Sequence, residues 1–229
     1  MEKYVHLKGR LLEILNCVEK SEITADVGCD HGRLSVALLQ SGRAKRIYAS
    51  DISEPSLKKA RLLRDKCSLE DAMDIRSADG LSGIAKQPDT IIIAGMGGRL
   101  IAEILERGEP IAQNASLIIM QPMRGISELR CFLEEKLYKI TTEKLCKESG
   151  RMYQIICAKY AGERCEQKRV PAGFYEFGDA MLSDPLLPEY LMRLKNELNK
   201  AISEAKNGSN LLALRELERI YGMLCEIRA

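Results

Sequence analysis

Short apolar runs alternate with amphipathic segments over more than half of the chain, and that alternation limits the fold more than any other feature. The runs are residues 23–27 (ITADV), 46–50 (RIYAS), 74–77 (DIRS), 90–94 (TIIIA) and 117–121 (LIIMQ). Between and after them lie RLSVALLQ, SEPSLKKARLLRDKC, GRLIAEILERG and SELRCFLEEKL, whose apolar residues recur at helical spacing. Stretches such as TIIIA and LIIM have no polar alternation, which suits strands covered on both faces. The pattern predicts an open, parallel, doubly wound α/β sheet. Ser53 followed by Pro55 marks a capped helix start. Leu7, Leu11, Leu12, Ile14, Leu15 and Val18 share one face of a helix ahead of the first strand.

The pattern changes after Leu137. YKITTEKLCKE and RMYQIICAKY flank Ser149-Gly150 and read as two strands joined by a tight turn. A mixed stretch near 161–173 then marks a boundary, giving a first domain over 1–162 and a second region over 163–229. In the latter, segments 189–206 and 210–227 carry apolar residues at spacings of three and four on either side of Asn207-Gly208-Ser209. They predict an antiparallel helical hairpin of coiled-coil type. Two roles stand for it, a packing or oligomerisation element and an arm that grips a substrate.

Among 229 residues, 35 Lys and Arg face 33 Asp and Glu, so a net charge of +2 announces no polyanionic partner. Residues 124–169 hold 11 Lys/Arg against 7 Asp/Glu, a local basic surplus that is either a phosphate-facing side or a solvated surface. Eight cysteines include no CxxC pair, which predicts reduced core thiols and no metal site. Charges at positions 2, 3, 8, 10 and 13 leave no room for a signal-peptide core, and no apolar run approaches a membrane span. The expectation is a cytoplasmic protein without a membrane partner, a monomer or weak dimer.

At the end of the first apolar run stands DVGCDHG, Asp26 to Gly32. Glycine and aspartate are poor strand and helix formers, and such a cluster suits backbone bent around a ligand. A dinucleotide fingerprint starting at Gly28 would need glycine where Asp30 and Arg33 stand, so it fails. A phosphate-binding P-loop fails too, for want of a following Lys-Ser/Thr pair. The remaining D-x-G-x-D-x-G resembles the first motif of class I methyltransferases, with Asp30 at the middle glycine. Aspartate tolerates positive φ, so the turn survives that exchange. By itself the motif leaves an incidental tight turn open. Asp51 at the tip of the second run can accept hydrogen bonds from two ribose hydroxyls, and Asp79-Gly80 ends the third, where a carboxylate can reach an adenine amino group. Each acid alone also fits a cap or turn former; together with the glycine turn they form a pattern seldom met by chance.

The fourth run continues as IIIAGMGG, residues 91–98, and the fifth ends in Gln121-Pro122. With DVGCDHG, ADGL, QPM…LR and RMYQI, these residues resemble the bacterial tRNA (adenine-N1)-methyltransferase family that modifies adenine 22 of tRNA. Family members often carry Glu at Asp51 and Asn at Met123. The resemblance implies a Rossmann-like methyltransferase sheet and S-adenosyl-L-methionine as cofactor. It implies cofactor contacts from Asp26, Gly28, Gly32, Asp51, Asp79, Gly80, Gly95 and Gly97. Arg10 either pairs with the cofactor carboxylate or lies on the surface. Met96, Gly98, Gln121 and Pro122 would face the tRNA substrate. Asp30 would stabilise the methylated base, with His31 either assisting or anchoring the turn. Two other readings stand beside this one: a methyltransferase of a small molecule or protein, with a dimerising hairpin, and a binding module that has lost the chemistry.

Overall fold

A computed structural model describes residues 4–164, 174–207 and 211–227. It separates the chain into two compact units, Met1–Cys165 and Glu166–Ala229. Pro171, Gly173, Gly208 and Ser209, which were read as boundary and hairpin-turn residues, lie outside the described residues.

The first unit runs α1 (Gly9–Cys17), β1 (Ser21–Val27), α2 (Arg33–Gln40), β2 (Ala44–Asp51), α3 (Glu54–Lys66) and β3 (Met73–Ser77). It continues with a 3-10 turn (Gly80–Gly83), β4 (Thr90–Gly97), α4 (Gly98–Arg107), α5 (Glu109–Gln113), β5 (Leu117–Arg124), α6 (Ile126–Glu135), β6 (Tyr138–Glu148) and β7 (Arg151–Tyr160). The sheet order is β3-β2-β1-β4-β5-β7-β6. The first five strands are parallel, and β7 joins β5 antiparallel. At the predicted tight turn Ser149 and Gly150 both have positive φ, 49° and 76°, the backbone twist that a two-residue hairpin favours.

Successive side chains of a strand point to opposite faces, and the central strands bury both. Ile91, Ile92 and Ile93 are fully buried, as are Ile118, Ile119 and Met120. Ile92 and Ile119 join one core with Ile14, Val36, Leu38 and Leu57, under α1, α2 and α3. Ile91, Ile93, Ile118 and Met120 join another with Ile101, Leu105, Leu129 and Leu133, under α4 and α6. Helices on both faces leave the strand ends as the place where polar chemistry meets solvent. At α3 the predicted cap forms: the Ser56 N–H donates to Ser53 Oγ at 3.4 Å, with a proline in the first turn.

In the second unit α7 (Leu187–Lys206) and α8 (Leu211–Glu226) pair antiparallel. Asn199 Nδ2 donates to the Tyr221 hydroxyl at 3.2 Å, and Lys206 lies 3.9 Å from Glu218 nearer the turn. Helix α7 begins at Leu187, ahead of the segment 189–206 read from apolar spacing, because Pro188 fits the first turn, where no N–H is needed. Phe177 is fully buried and packs edge-on against Phe174 and Tyr190.

One polar pair is enclosed in the first unit. Arg130 of α6 donates from Nη1 to Glu143 of β6, with side chains 1% and 0% exposed. Breaking such a pair from one side strands a charge in low dielectric, whereas replacing both partners with apolar groups removes the problem. Arg130→Met is expected to lower unfolding free energy by ~3–5 kcal/mol. Chemical denaturation should then show Arg130→Met/Glu143→Leu recovering most of that loss. A double variant no more stable than the single one would assign the cost to packing instead.

Candidate functional site

Strand order reverses between β1 and β4, and at such a switch point the flanking loops splay apart and leave a crevice at the carboxyl ends. A cavity of about 480 Å³ lies there. Ten predicted residues line it: Arg10, Asp26, Gly28, Asp30, His31, Asp51, Asp79, Gly80, Gly95 and Met96. Gly32, Gly97, Gly98, Gln121 and Pro122 are not in its lining.

The turn after β1 has the bend its composition requires. Gly28, Asp30 and Gly32 have φ of 73°, 48° and 69°, so the aspartate does occupy a left-handed position. The N–H groups of Gly28 and Cys29 donate to the Ser50 carbonyl at 2.7 and 2.9 Å. A Cβ on Gly28 would stand 2.1 Å from the Met96 Cε, so glycine also makes room for the β4 loop. Gly32 has a different neighbourhood: a Cβ there would meet Ala60 and Met73, each at 3.1 Å. Besides its left-handed φ, glycine at 32 thus leaves room for α3 and β3 to pack close to the turn.

Asp51 ties two loops together. Its Oδ2 accepts the Asp30 N–H at 3.0 Å and its Oδ1 accepts the Ser53 N–H at 2.8 Å. A carboxylate has about four lone-pair positions, so each oxygen keeps capacity for a ligand hydroxyl. Beside it Ile52 is 76% exposed and lines the cavity, an apolar face for a flat ring that the sequence reading missed. An exposed large aliphatic directly after a strand-tip acid was the available signal.

Asp26 is buried and accepts from Ser35 Oγ at 2.5 Å. Desolvation pushes its carboxyl up to about 6, against the opposing effect of that hydrogen bond. Burial, with Asp26, Asp51 and Asp30 nearby, raises the Cys29 thiol far above its usual range, which rules it out as a neutral-pH nucleophile.

Arg10 reaches in from α1 against Gly95, whose φ is 77°. Its Nη1 donates to Gln121 Oε1 at 2.8 Å and its Nε to Glu148 Oε2 at 3.2 Å. The guanidinium lies 5.8 Å from the Tyr153 ring centroid. Three anchors fix the head group, and Nη2 has no partner among the described residues. Gln121 is fully buried and acts on the cavity through Arg10. The sequence reading missed Glu148 and Tyr153 in this role, although Tyr153 lies within the quoted RMYQI.

Asp79 lines the cavity, but both of its oxygens accept from Arg107 of α4, at 2.5 and 3.1 Å. That hydrogen bonding holds its carboxyl below the usual range. Gly98 packs against backbone: a Cβ there would lie 1.9 Å from the Gly125 carbonyl oxygen. Asp30 Oδ1 accepts from Ser56 Oγ at 3.1 Å and stands 3.5 Å from His31 Nε2, and its side chain is 69% exposed at the rim. Lys59 Nζ lies nearer to that ring nitrogen, at 3.0 Å.

The cavity therefore offers a cation in Arg10, a buried carboxylate in Asp26, a hydroxyl acceptor in Asp51 and an apolar face in Ile52. Its volume suits a drug-sized molecule, and its polar groups suit one with an acid group, a cationic centre and adjacent hydroxyls. S-adenosyl-L-methionine has all three. Among the described residues no cluster of His, Cys, Asp and Glu could hold a metal ion, and no helix is long and apolar enough to cross a membrane.

A family described as a methyltransferase domain matches residues 7–156. The chain is 31% identical over 159 residues to the tRNA (adenine(22)-N(1))-methyltransferase of Bacillus subtilis, covering 69% of this chain and 66% of that protein. The alignment thus spans just under two thirds of that relative. A Streptococcus pneumoniae protein solved in complex with S-adenosyl-L-methionine matches with TM-score 0.81 and 26% identity, covering 95% of this chain and 97% of its own. The crystal structure of the B. subtilis M1A22 tRNA methyltransferase shares the fold, with TM-score 0.84 and 23% identity over 97% of this chain and 98% of that one. The chain belongs to the methyltransferase family that contains the tRNA (adenine(22)-N(1))-methyltransferase of B. subtilis.

Proposed function

We propose that the protein transfers a methyl group from S-adenosyl-L-methionine to N1 of an adenine in tRNA, at position 22. The observation that carries this reading is the crevice at the switch point, with Arg10, Asp26 and Asp51 disposed around it, in a chain 31% identical to an enzyme with that activity. When bound, S-adenosyl-L-methionine supplies an electrophilic methyl group. Arg10, held by Gln121 and Glu148, takes the carboxylate of the donor. Asp26 faces its cationic part, Asp51 accepts from the ribose hydroxyls and Ile52 covers the adenine ring.

Adenine N1 carries a free lone pair, so methyl transfer calls for alignment and for stabilisation of the positive charge left on the base. The base must first leave its stack to reach a crevice of this kind. Asp30, at the rim and held by Ser56, is the carboxylate assigned to the methylated ring. His31 orients Asp30 from the neighbouring position. Met96 and Gly95 form the wall on the β4 side, and Gly97 and Gly98 let α4 start close behind it.

The direct test is methylation of an unmodified tRNA transcript, with the product nucleotide mapped by mass spectrometry. N1-methyladenosine at position 22 is the expected result, and methylation elsewhere or none would overturn the reading. Asp51→Ala should weaken binding of S-adenosylhomocysteine by ~1.5–3 kcal/mol, the range for a hydrogen bond to a charged group. Asp30→Ala should instead slow methyl transfer with cofactor affinity retained. A rate within about twofold of the parent, ~0.4 kcal/mol of barrier, would leave Asp30 only the shape of the turn.

Asp26 gives a pH signature. Its folded-state value of about 6 lies above the unfolded 3.8, so the folded protein binds the extra proton between those values. Stability from this group is therefore present below about pH 4, is lost as pH rises toward 6, and stays lost above. Asp26→Asn removes the penalty and should stabilise the free protein at pH 8 by on the order of 3 kcal/mol, with little gain at pH 4. The same variant should bind S-adenosyl-L-methionine more weakly, since the cationic partner loses its counter-charge. Denaturation curves at both pH values that move together would assign the burial cost elsewhere.

A further inference from the structure

Beside the crevice lies a second cavity of about 470 Å³, lined by Tyr4, Val5, His6, His31, Arg33, Lys59, Leu63, Lys66 and Cys67. The chain contains two histidines, and both are in this lining. His31 and Arg33 also line the first cavity, so the two hollows share a wall. No Asp or Glu lines the second; Asp30 of the first cavity stands 3.5 Å from His31 Nε2.

The cations of this cleft differ from their neighbours on α3. Arg61 and Arg64 are ion-paired, with Glu54 at 2.5 Å and Asp65 at 2.7 Å. Arg33, Lys59 and Lys66 have no carboxylate partner among the described residues. Arg33 instead donates to the His6 carbonyl at 3.0 Å, which holds the entering chain against the start of α2. Lys59 meets His31. Lys59, Leu63 and Lys66 are spaced four and three apart, so they form one face of α3. Tyr4 is 69% exposed along the same cleft. Unpaired cations around an exposed ring fit a single-stranded nucleic-acid segment, in which phosphates take cations and a base takes the aromatic face.

We propose that this cleft grips the RNA strand flanking the reacting adenine, with Arg33, Lys59 and Lys66 taking phosphates and Tyr4 offering a stacking face. The inference rests on the tRNA reading above. It gives that reading a direction: the strand leaves the crevice over His31 and runs along α3 toward Lys66.

The test compares the full-length protein with Lys59→Ala/Lys66→Ala, using an unmodified tRNA transcript as probe. The double variant should raise KM for tRNA about tenfold and make the log–log salt dependence of tRNA binding shallower by about one to two. Lys59→Arg/Lys66→Arg, which keeps the charge, should stay within about twofold of the parent. Calorimetry with S-adenosylhomocysteine should give the parental affinity for both variants, and a matching melting temperature excludes misfolding. A parent that methylates tRNA, beside a double alanine variant with unchanged KM and salt slope, overturns the cleft alone. A parent that binds S-adenosylhomocysteine yet neither binds nor methylates tRNA overturns the tRNA reading and the cleft with it.

Discussion

The carboxylate of Asp51 is the joint on which the site depends. One oxygen accepts the N–H of Asp30 and the other that of Ser53, so a single strand-tip acid closes the turn after β1 and sets the entry to α3. The residue that donates the first bond, Asp30, is the one held at a positive φ of 48°. With that turn closed, Gly28 comes under Met96 and the β4 loop closes over the β1 turn. Ser53 in turn caps α3, whose outward face carries Lys59 and Lys66. A cavity-lining carboxylate, the glycine turn after β1 and a cationic helix face thus share one anchor, and a change at Asp51 reaches all three.

Arg10 shows how a surface-forming residue becomes part of a site. A free arginine loses rotamer entropy when a ligand immobilises it, which weakens binding. Here Gln121, Glu148 and Tyr153 have fixed the head group beforehand, from three separate strands. Gln121 is fully buried, so its amide would be costly without the arginine. The pair is mutually required: Gln121 orients Arg10, and Arg10 satisfies Gln121.

The sheet, its order class and the terminal hairpin were legible because they rest on local periodicity and turn chemistry. Apolar runs without alternation became β4 and β5, covered on both faces, and Ser149-Gly150 became the turn. The backbone part of the site was legible for the same reason: Asp26 to Gly32 is a local pattern whose φ angles follow from its composition. What escaped were partnerships between residues far apart in sequence. Asp79 was read as a ligand group and does line the cavity, but its bond to Arg107, 28 residues on, was not foreseen. Gln121 and Pro122 were read as facing substrate, but the buried amide of Gln121 points to Arg10, 111 residues away. Gly28 and Gly32 both hold a positive φ, but the close neighbours that also require glycine, Ala60 at Gly32 and the Gly125 carbonyl at Gly98, come from elsewhere in the chain and could not be read locally.

Electrostatics decides where a polyanion can be held on such a chain. Attraction to nucleic acid grows with the number of phosphates neutralised, and a net charge of +2 on 229 residues supplies no general field. The helical hairpin does not supply one either, with seven Lys and Arg against six Asp and Glu from Glu189 to Ala229. Within residues 124–169 part of the basic surplus is already committed, since Arg130 of α6 is buried with Glu143 of β6. On the tRNA reading proposed above, affinity would come from cations kept free of local carboxylates; Lys59 and Lys66 of α3 are such cations beside the crevice, while Arg61 and Arg64 of the same helix are paired. A grip built from few phosphate contacts is weak unless shape adds to it. On that same proposal a balanced hairpin would suit the second task, since near-neutral charge adds shape without drawing unrelated polyanions.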